Sequence, residues 1–310
     1  MNLINYIIIV IKSAIRAGTP LLIGTLGEIY AERSGILNLG VEGMMIVGAV
    51  TGYMVTYITR NPWLGLLAAA ITGGLLSLIH AILSITFRVN QIVSGLALTM
   101  LGLGLSSVIG KNYVGISLPI TIIPVKIPIL SEIPIVGEIL FSHDPIVYLS
   151  IILALLMWFI LFRTSIGIKI RAVGENPYAA DASGVNVIAV RYVCVFIGGL
   201  LSGLAGAYLS ESYTPIWIEN LTAGTGWIVI GLTIFSLWNP FRAILCSYLF
   251  GGVRVLQFRL QPLGISPNLL AMLPYITTIL VLIIGIKETM RKRIGAPSAL
   301  GKPYIKEEKM

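Results

Sequence analysis

Residues Ile146 to Phe162 read IVYLSIILALLMWFILF, between Pro145 and Arg163. As a helix this stretch rises about 25 Å, close to the thickness of a bilayer's hydrocarbon core. A helix on a soluble core would carry a polar stripe, and an outer-membrane strand would alternate polar with apolar; this run is apolar on every face. It is a membrane-spanning helix, and a β-barrel is excluded. Comparable runs lie near residues 14 to 32, 43 to 58, 64 to 86, 91 to 110, 191 to 210, 226 to 238, 243 to 258 and 268 to 286. That makes about nine crossings, with Leu3 to Ile11 as a shortened extra span or an interfacial helix. The expected fold is all-α, a polytopic transmembrane bundle of nine or ten helices in one domain covering 1–310.

Composition agrees. Only 11% of the 310 residues are charged, where a soluble domain holds roughly a quarter, and 56% are hydrophobic, with a mean hydropathy of +0.94. The net charge of +8 suggests no nucleic acid here, because Lys and Arg in membrane proteins mark the cytoplasmic side. Cys194 and Cys246 both lie in apolar runs and read as packing residues, without a disulfide framework or a metal cluster. Met1 to Val10 has no basic segment before its apolar stretch and is expected to be retained.

Two basic clusters set the orientation: Arg163, Lys169, Arg171 and Arg191 in one, and Lys287, Arg291, Lys292 and Arg293 in the other. Four spans separate them, an even number, so 163–190 and the tail 287–310 share the cytoplasmic side. The Pro-rich loop 111–144 then falls outside.

One offset recurs, 178 residues. Asn61-Pro62 matches Asn239-Pro240, Gly73-Gly74 matches Gly251-Gly252, and Tyr30, Gly48 and Asn90 match Tyr208, Gly226 and Asn268. The halves would be about 14–110 and 191–286. The starts of the two halves lie an odd number of spans apart, so the repeat is inverted, a construction common in transporters with the path at the repeat interface. Each half also holds a Gly- or Pro-interrupted stretch: Ser34 to Gly43, and Tyr213-Thr214-Pro215 through Thr222 to Gly226. Such breaks free backbone groups that protein or a wet cavity must satisfy.

Polar residues at these depths are the candidates for a pathway. Glu28 and Glu42 are intramembrane acids, which must face the bundle interior or water. Asn38, Asn90 and Gln91 can hydrogen-bond a hydroxyl-rich solute, and Trp217 and Trp227 flank the second interruption and can stack on a ring. A structural reading stands beside this one: Glu42 caps the half-helix after Gly40, Glu28 or Glu32 pairs with Arg33, the amides join helices, and the tryptophans mark an interface. The pairs Gly199 with Gly203 and Ser202 with Gly206 allow close helix approach. Nothing supports catalysis: His80 and His143 fall on different sides, GxSxG and HExxH are absent, and Gly110-Lys111-Asn112 breaks the phosphate-loop pattern.

Within the cytoplasmic loop, Asn176 is an N-cap, Pro177 a first helical residue and Gly184 a stop. They define a short helix between two spans, rich in Ala, that can dock in a groove of a soluble partner.

The segment RAVGENPYAADASGVNV from Arg171 resembles the coupling-helix loop of permease subunits in the ribose and branched-chain amino-acid class of bacterial ABC importers. LGEIYAERSGILNLGVEGMM, from Leu26 to Met45, resembles the first-half signature of the nucleoside branch, and NQIVSGLAL from Asn90 continues it. The similarity runs over roughly residues 14 to 295. It implies a transport subunit without its own ATPase or cofactor, importing nucleosides or related sugars through the cell membrane by ATP-driven alternating access. The implied partners are an ATP-binding subunit that holds ATP and Mg, a second permease and an extracellular solute-binding protein. Coupling would run through Gly174, Glu175, Asn176, Pro177, Ala180 and Gly184. The competing class is an ion-coupled secondary transporter, which needs coupling carboxylates at the midplane; a membrane enzyme ranks behind both.

Overall fold

The computed structural model describes residues 3–285 and 295–305; the tail bases Lys287, Arg291, Lys292 and Arg293 lie outside these. The chain is helical nearly throughout: α1 (Leu3–Arg33), α2 (Val41–Thr59), α3 (Pro62–Ala81, extended by a π turn, Ile82–Thr86) and α4 (Gln91–Gly110) form the first half. A loop with the two-residue strands β1 (Val125–Lys126) and β2 (Ser142–His143) and the short α5 (Val136–Leu140) follows. Then come α6 (Pro145–Arg163), α7 (Ser165–Glu175), α8 (Pro177–Ala182), α9 (Val187–Tyr208, ending in a π turn, Leu209–Tyr213), α10 (Thr225–Phe235), α11 (Pro240–Leu260), α12 (Pro267–Ala271) and α13 (Leu273–Gly285).

Among the described residues seven helices are long and apolar enough to cross a membrane, and two further apolar stretches, Thr225–Phe235 and Asn268–Thr277, are shorter. The nine expected crossings are therefore seven full spans, the shorter α10, and the stretch from Asn268, which is described as far as Gly285. Leu3 to Ile11 is neither an extra span nor a separate helix, because it continues without a break into α1. The segment 163–190 holds two helices rather than one, since α7 precedes the expected α8.

Helix starts show where water or headgroups begin. Asn61, Asn90, Asp144, Thr164, Asn176, Asn186 and Asn239 each accept a hydrogen bond from a backbone N–H of the turn that follows, and Pro opens α3, α6, α8 and α11. Helices α2 and α10 differ. Each starts after a glycine, Gly40 or Gly224, with no side-chain cap from that residue. With 11 residues, α10 rises only about 16 Å, roughly half a bilayer.

The two halves run in opposite directions. Arg16, midway along α1, donates to Ser212 O in the π turn that ends α9 (3.0 Å), while Arg191, near the start of α9, donates to Ser34 O just past α1 (3.2 Å). Packing is crosswise, α3 along α9 and α1 along α11. Glycines permit it: a Cβ on Gly73 would strike Gly199 and Gly203, and one on Gly251 would strike Ala14 and Gly18. These contacts pair Ala14 with Gly199 and Gly18 with Gly203, an offset of 185. The offset of 178 fits α3 and α11, whose Asn-Pro starts coincide, but not the first helices. Tyr30 and Tyr208, equated from sequence, do different jobs: Tyr30 donates to Met157 O and Tyr208 to Asp144 Oδ2. Gly206 lies against the Met45 carbonyl, so the small residues of α9 serve two neighbours at once.

Candidate functional site

The first break, Ser34 to Gly40, is closed by protein on every side. Leu37 N–H donates to Gln91 Oε1 (2.8 Å), Asn38 N–H to Glu28 Oε1 (3.2 Å), and Gly40 N–H to Asn38 Oδ1 (3.0 Å). The Leu39 carbonyl accepts from Thr99 Oγ1 (2.9 Å) and that of Gly35 from Gly301 N–H (3.2 Å). His80 reaches Leu37 O through Nε2 (3.1 Å) and Ser94 Oγ through Nδ1 (3.0 Å). A carbonyl only accepts, so Nε2 carries the proton and Nδ1 takes the serine's. Gly35 sits at φ +91, a left-handed turn that a side chain strains. The freed backbone groups of a broken helix thus find partners in neighbouring helices.

Glu42 bridges this region to the second half. Its Oε1 accepts from Thr222 Oγ1 (2.5 Å) and Gly224 N–H (2.9 Å), and its Oε2 from Gly226 N–H (2.6 Å). The carboxylate lies in the first turn of α2 and also covers the bare start of α10, so one charge faces the positive ends of two helices. It is 3% exposed. A Cβ on Gly226 would meet the Glu42 backbone at 2.5 Å, so glycine is needed for the approach.

The other pathway candidates are scattered. Asn38 is buried, with its Nδ2 unpartnered among the described residues, as is Nε2 of Gln91. Asn90 is exposed and spends its Oδ1 on the N–H groups of Ile92 and Val93. Trp217 is fully buried against Gly110 with its ring 6.3 Å from that of Tyr53, at the end opposite α8, while Trp227 is half-exposed beside Gly224. Arg33 donates to the carbonyls of Leu237 and Trp238, and Glu32 accepts from Trp238 Nε1, so neither Glu28 nor Glu32 pairs with Arg33 as expected. Glu211 is a buried acid that the sequence reading did not single out. It lies in the π turn, with Thr56 beside it.

The second break, Thr214 to Gly224, is held on its outer edge by the 111–144 loop, where Leu118 N–H donates to Pro215 O and Gly115 N–H to Trp217 O (both 2.9 Å). Burial pushes the pKa of His143 in that loop below 6.5. Its Nε2 faces Ile139 O (2.7 Å) and its Nδ1 has no partner among the described residues.

At the opposite end, α8 forms as its residues dictate: Asn176 Oδ1 accepts from Ala179 N–H (3.1 Å), and Gly184 ends the turn at φ +83. Pro177 and Ala180 turn inward, Ala180 packing with Val173, Val187 and Tyr304. Gly174 is buried against the Arg33 carbonyl, and Glu175, Asn176 and Gly184 are exposed. The outward face also holds Tyr178, Ala179, Ala182 and Ser183, which spacing alone did not separate from Pro177 and Ala180. The described part of the tail ties α8's base to the first break. Ser298 Oγ donates to Glu175 Oε1 (2.9 Å), Ala299 N–H to Gly174 O (2.9 Å), and Gly301 N–H to Gly35 O.

The family described as the permease component of branched-chain amino acid transport systems matches residues 10–282. An ABC transporter permease protein of Haloferax volcanii that carries glucose in its name, TsgC13, is 38% identical over 96% of this chain and 97% of its own. The guanosine ABC transporter permease protein NupQ of Bacillus subtilis is 39% identical over 99% of both chains. The nucleoside ABC transporter permease protein NupC of Lactococcus lactis is 34% identical over 99% of this chain and all of its own. No solved structure matches.

Proposed function

The chain belongs to the permease-component family of branched-chain amino acid transport systems, a multi-pass cell-membrane subunit of an ABC importer, and from that premise we propose that its cargo is a nucleoside. The names of NupQ and NupC support this over a simple sugar, for which TsgC13 speaks. ATP and Mg are bound and hydrolysed by a partner subunit, a second permease completes the membrane part, and an extracellular solute-binding protein delivers the cargo.

The observation that carries the mechanism is the seat of α8. Its outward face, with Tyr178, Ala179 and Ala182, offers small and aromatic surface to a soluble partner, while Gly174, Pro177 and Ala180 lock it to the bundle. Glu175 and Gly174 are hydrogen-bonded to the tail segment that also holds Gly35. A push on α8 is therefore delivered to the first break and, through Glu42, to the start of α10.

The test is uptake of labelled guanosine by vesicles carrying the assembled transporter. Uptake is expected to require ATP, to survive an uncoupler and to fall at least 10-fold in Ala182→Glu with membrane insertion unchanged. Uptake abolished by the uncoupler with ATP held constant contradicts ABC-type coupling; unchanged uptake in Ala182→Glu removes α8 from the route.

A further inference from the structure

Two cavities lie side by side along the second break. One, about 220 Å³, is walled by α1, α10, α11 and α13 and includes Thr225, Phe250, Arg254, Gln257, Phe258 and Tyr275. The other, about 380 Å³, is lined by Ser13, Arg16, Tyr213, Thr214 and Phe258. Phe258 is common to both, and the Arg254 guanidinium lies 5.8 Å from the Tyr213 ring, which joins them. The two lie between Arg16, midway along α1, and the start of the half-helix α10. The second falls in the size range of small-molecule sites, and the first lies directly beside it.

Arg254 is the unusual group. It sits on α11, near the end of the span, with its side chain lining the cavity. Among the described residues no carboxylate lines either cavity. Arg16 has Asp144 at 3.9 Å, but Arg254 makes one hydrogen bond, to Thr225 Oγ1 (3.3 Å), and its remaining N–H groups have no acceptor among the described residues. The Gln257 amide is likewise without a hydrogen bond to any described residue. These groups line an aromatic-walled space, with the guanidinium also lying over the Tyr213 ring.

We propose that this cavity is a purine-nucleoside subsite on the transport path, with Arg254 and Gln257 reading the edge of the base and the aromatic side chains holding its face. A guanidinium fork matches two adjacent acceptors such as O6 and N7 of guanine, a glutamine amide complements a donor–acceptor edge or ribose hydroxyls, and Phe258 and Tyr275 offer stacking surface. A free sugar would use the polar groups but leave the aromatic walls idle. A nucleotide would satisfy the arginine through its phosphate, so it is the competitor that the test must separate. The inference rests on the nucleoside reading above.

The experiment measures guanosine uptake by the assembled transporter in proteoliposomes, comparing the native chain with Arg254→Lys, Gln257→Ala and Tyr275→Leu. Arg254→Lys keeps the charge and loses the fork. The expected result is a 10-fold or larger rise in apparent KM for guanosine in Arg254→Lys and Gln257→Ala, with kcat changed less than 3-fold and melting temperature in detergent unchanged. Guanosine should also protect a Gln257→Cys chain from a soluble thiol reagent, which tests the site even where a transport variant assembles poorly. If the native chain carries guanosine while all three variants keep its KM and guanosine gives no protection, the subsite is refuted and the nucleoside reading stands. If the native chain carries a sugar and no guanosine, the substrate reading fails and takes the subsite with it. Stronger protection by GMP than by guanosine overturns the nucleoside assignment in favour of an anion site.

Discussion

The two helix breaks are built from similar punctuation and do different work. The first, Ser34 to Gly40, is shut in protein: no residue of it is exposed, and its backbone is matched by Gln91, Glu28, Thr99, His80 and Arg191. The second, Thr214 to Gly224, is longer, exposes Ile218, Glu219, Asn220 and Ala223, and borders open space. An inverted repeat need not be functionally symmetric. One half supplies a rigid support against which the other can shape a path, and Glu42 is the point where the support holds the start of α10.

The comparison breaks most severely at Glu42. Glu42→Ala leaves two backbone N–H groups and a hydroxyl without an acceptor, each worth about 1 to 3 kcal/mol when buried. A loss of at least about 3 kcal/mol is expected in unfolding monitored in detergent, with Glu42→Gln, which keeps one acceptor oxygen, falling between. A melting curve for Glu42→Ala indistinguishable from the native one would mean that the two halves are not joined here.

Gln91→Ala tests the support alone. It removes the acceptor of Leu37 N–H, and about 1 to 3 kcal/mol should be lost, with protection of the amides of 34–40 from hydrogen exchange falling as well. If exchange rises instead at 214–224, the first break is not the rigid partner.

Acid should loosen the loop that holds the second break. His143 is buried with a pKa lowered from 6.5, so the folded loop resists a proton that the unfolded one accepts. Stability from this group is complete above about pH 6.5 and declines as pH falls from there through the folded value. Protease resistance of the 111–144 loop should therefore drop below about pH 6.5 in the native chain and not in His143→Phe. The smallest effect is Ile218→Ala on the exposed edge of the second break, where stability should move by no more than about 0.5 kcal/mol.

Much of this architecture is legible in the residues themselves. Asn-Pro, Asp-Pro and Asn at helix starts name the true ends, because an exposed end needs a side-chain cap, and glycine alone before Val41 and Thr225 marks the starts that are not at an end. The role of Glu42 was half-legible. Its place beside a helix start follows from spacing, but its partners at Thr222 to Gly226 lie some 180 residues away and depend on how the halves meet. The same limit hid the inward turn of Pro177 and Ala180, since a six-residue helix has too few positions to reveal its buried face. Arg254 and Gln257 looked like ordinary residues near the end of a span. Only the packing of α10, α11 and α13 opens a cavity in front of them.

The division of labour between the breaks is tested most directly by thiol accessibility. In a chain with Cys246→Ser, single substitutions Asn38→Cys and Ala223→Cys are placed in the assembled transporter and exposed to a small soluble thiol reagent with and without nucleotide. Rapid labelling at 223, slowed by guanosine, is expected, with none at 38 in any state. Labelling at 38 with none at 223 would contradict that division of labour and assign the path to the first break.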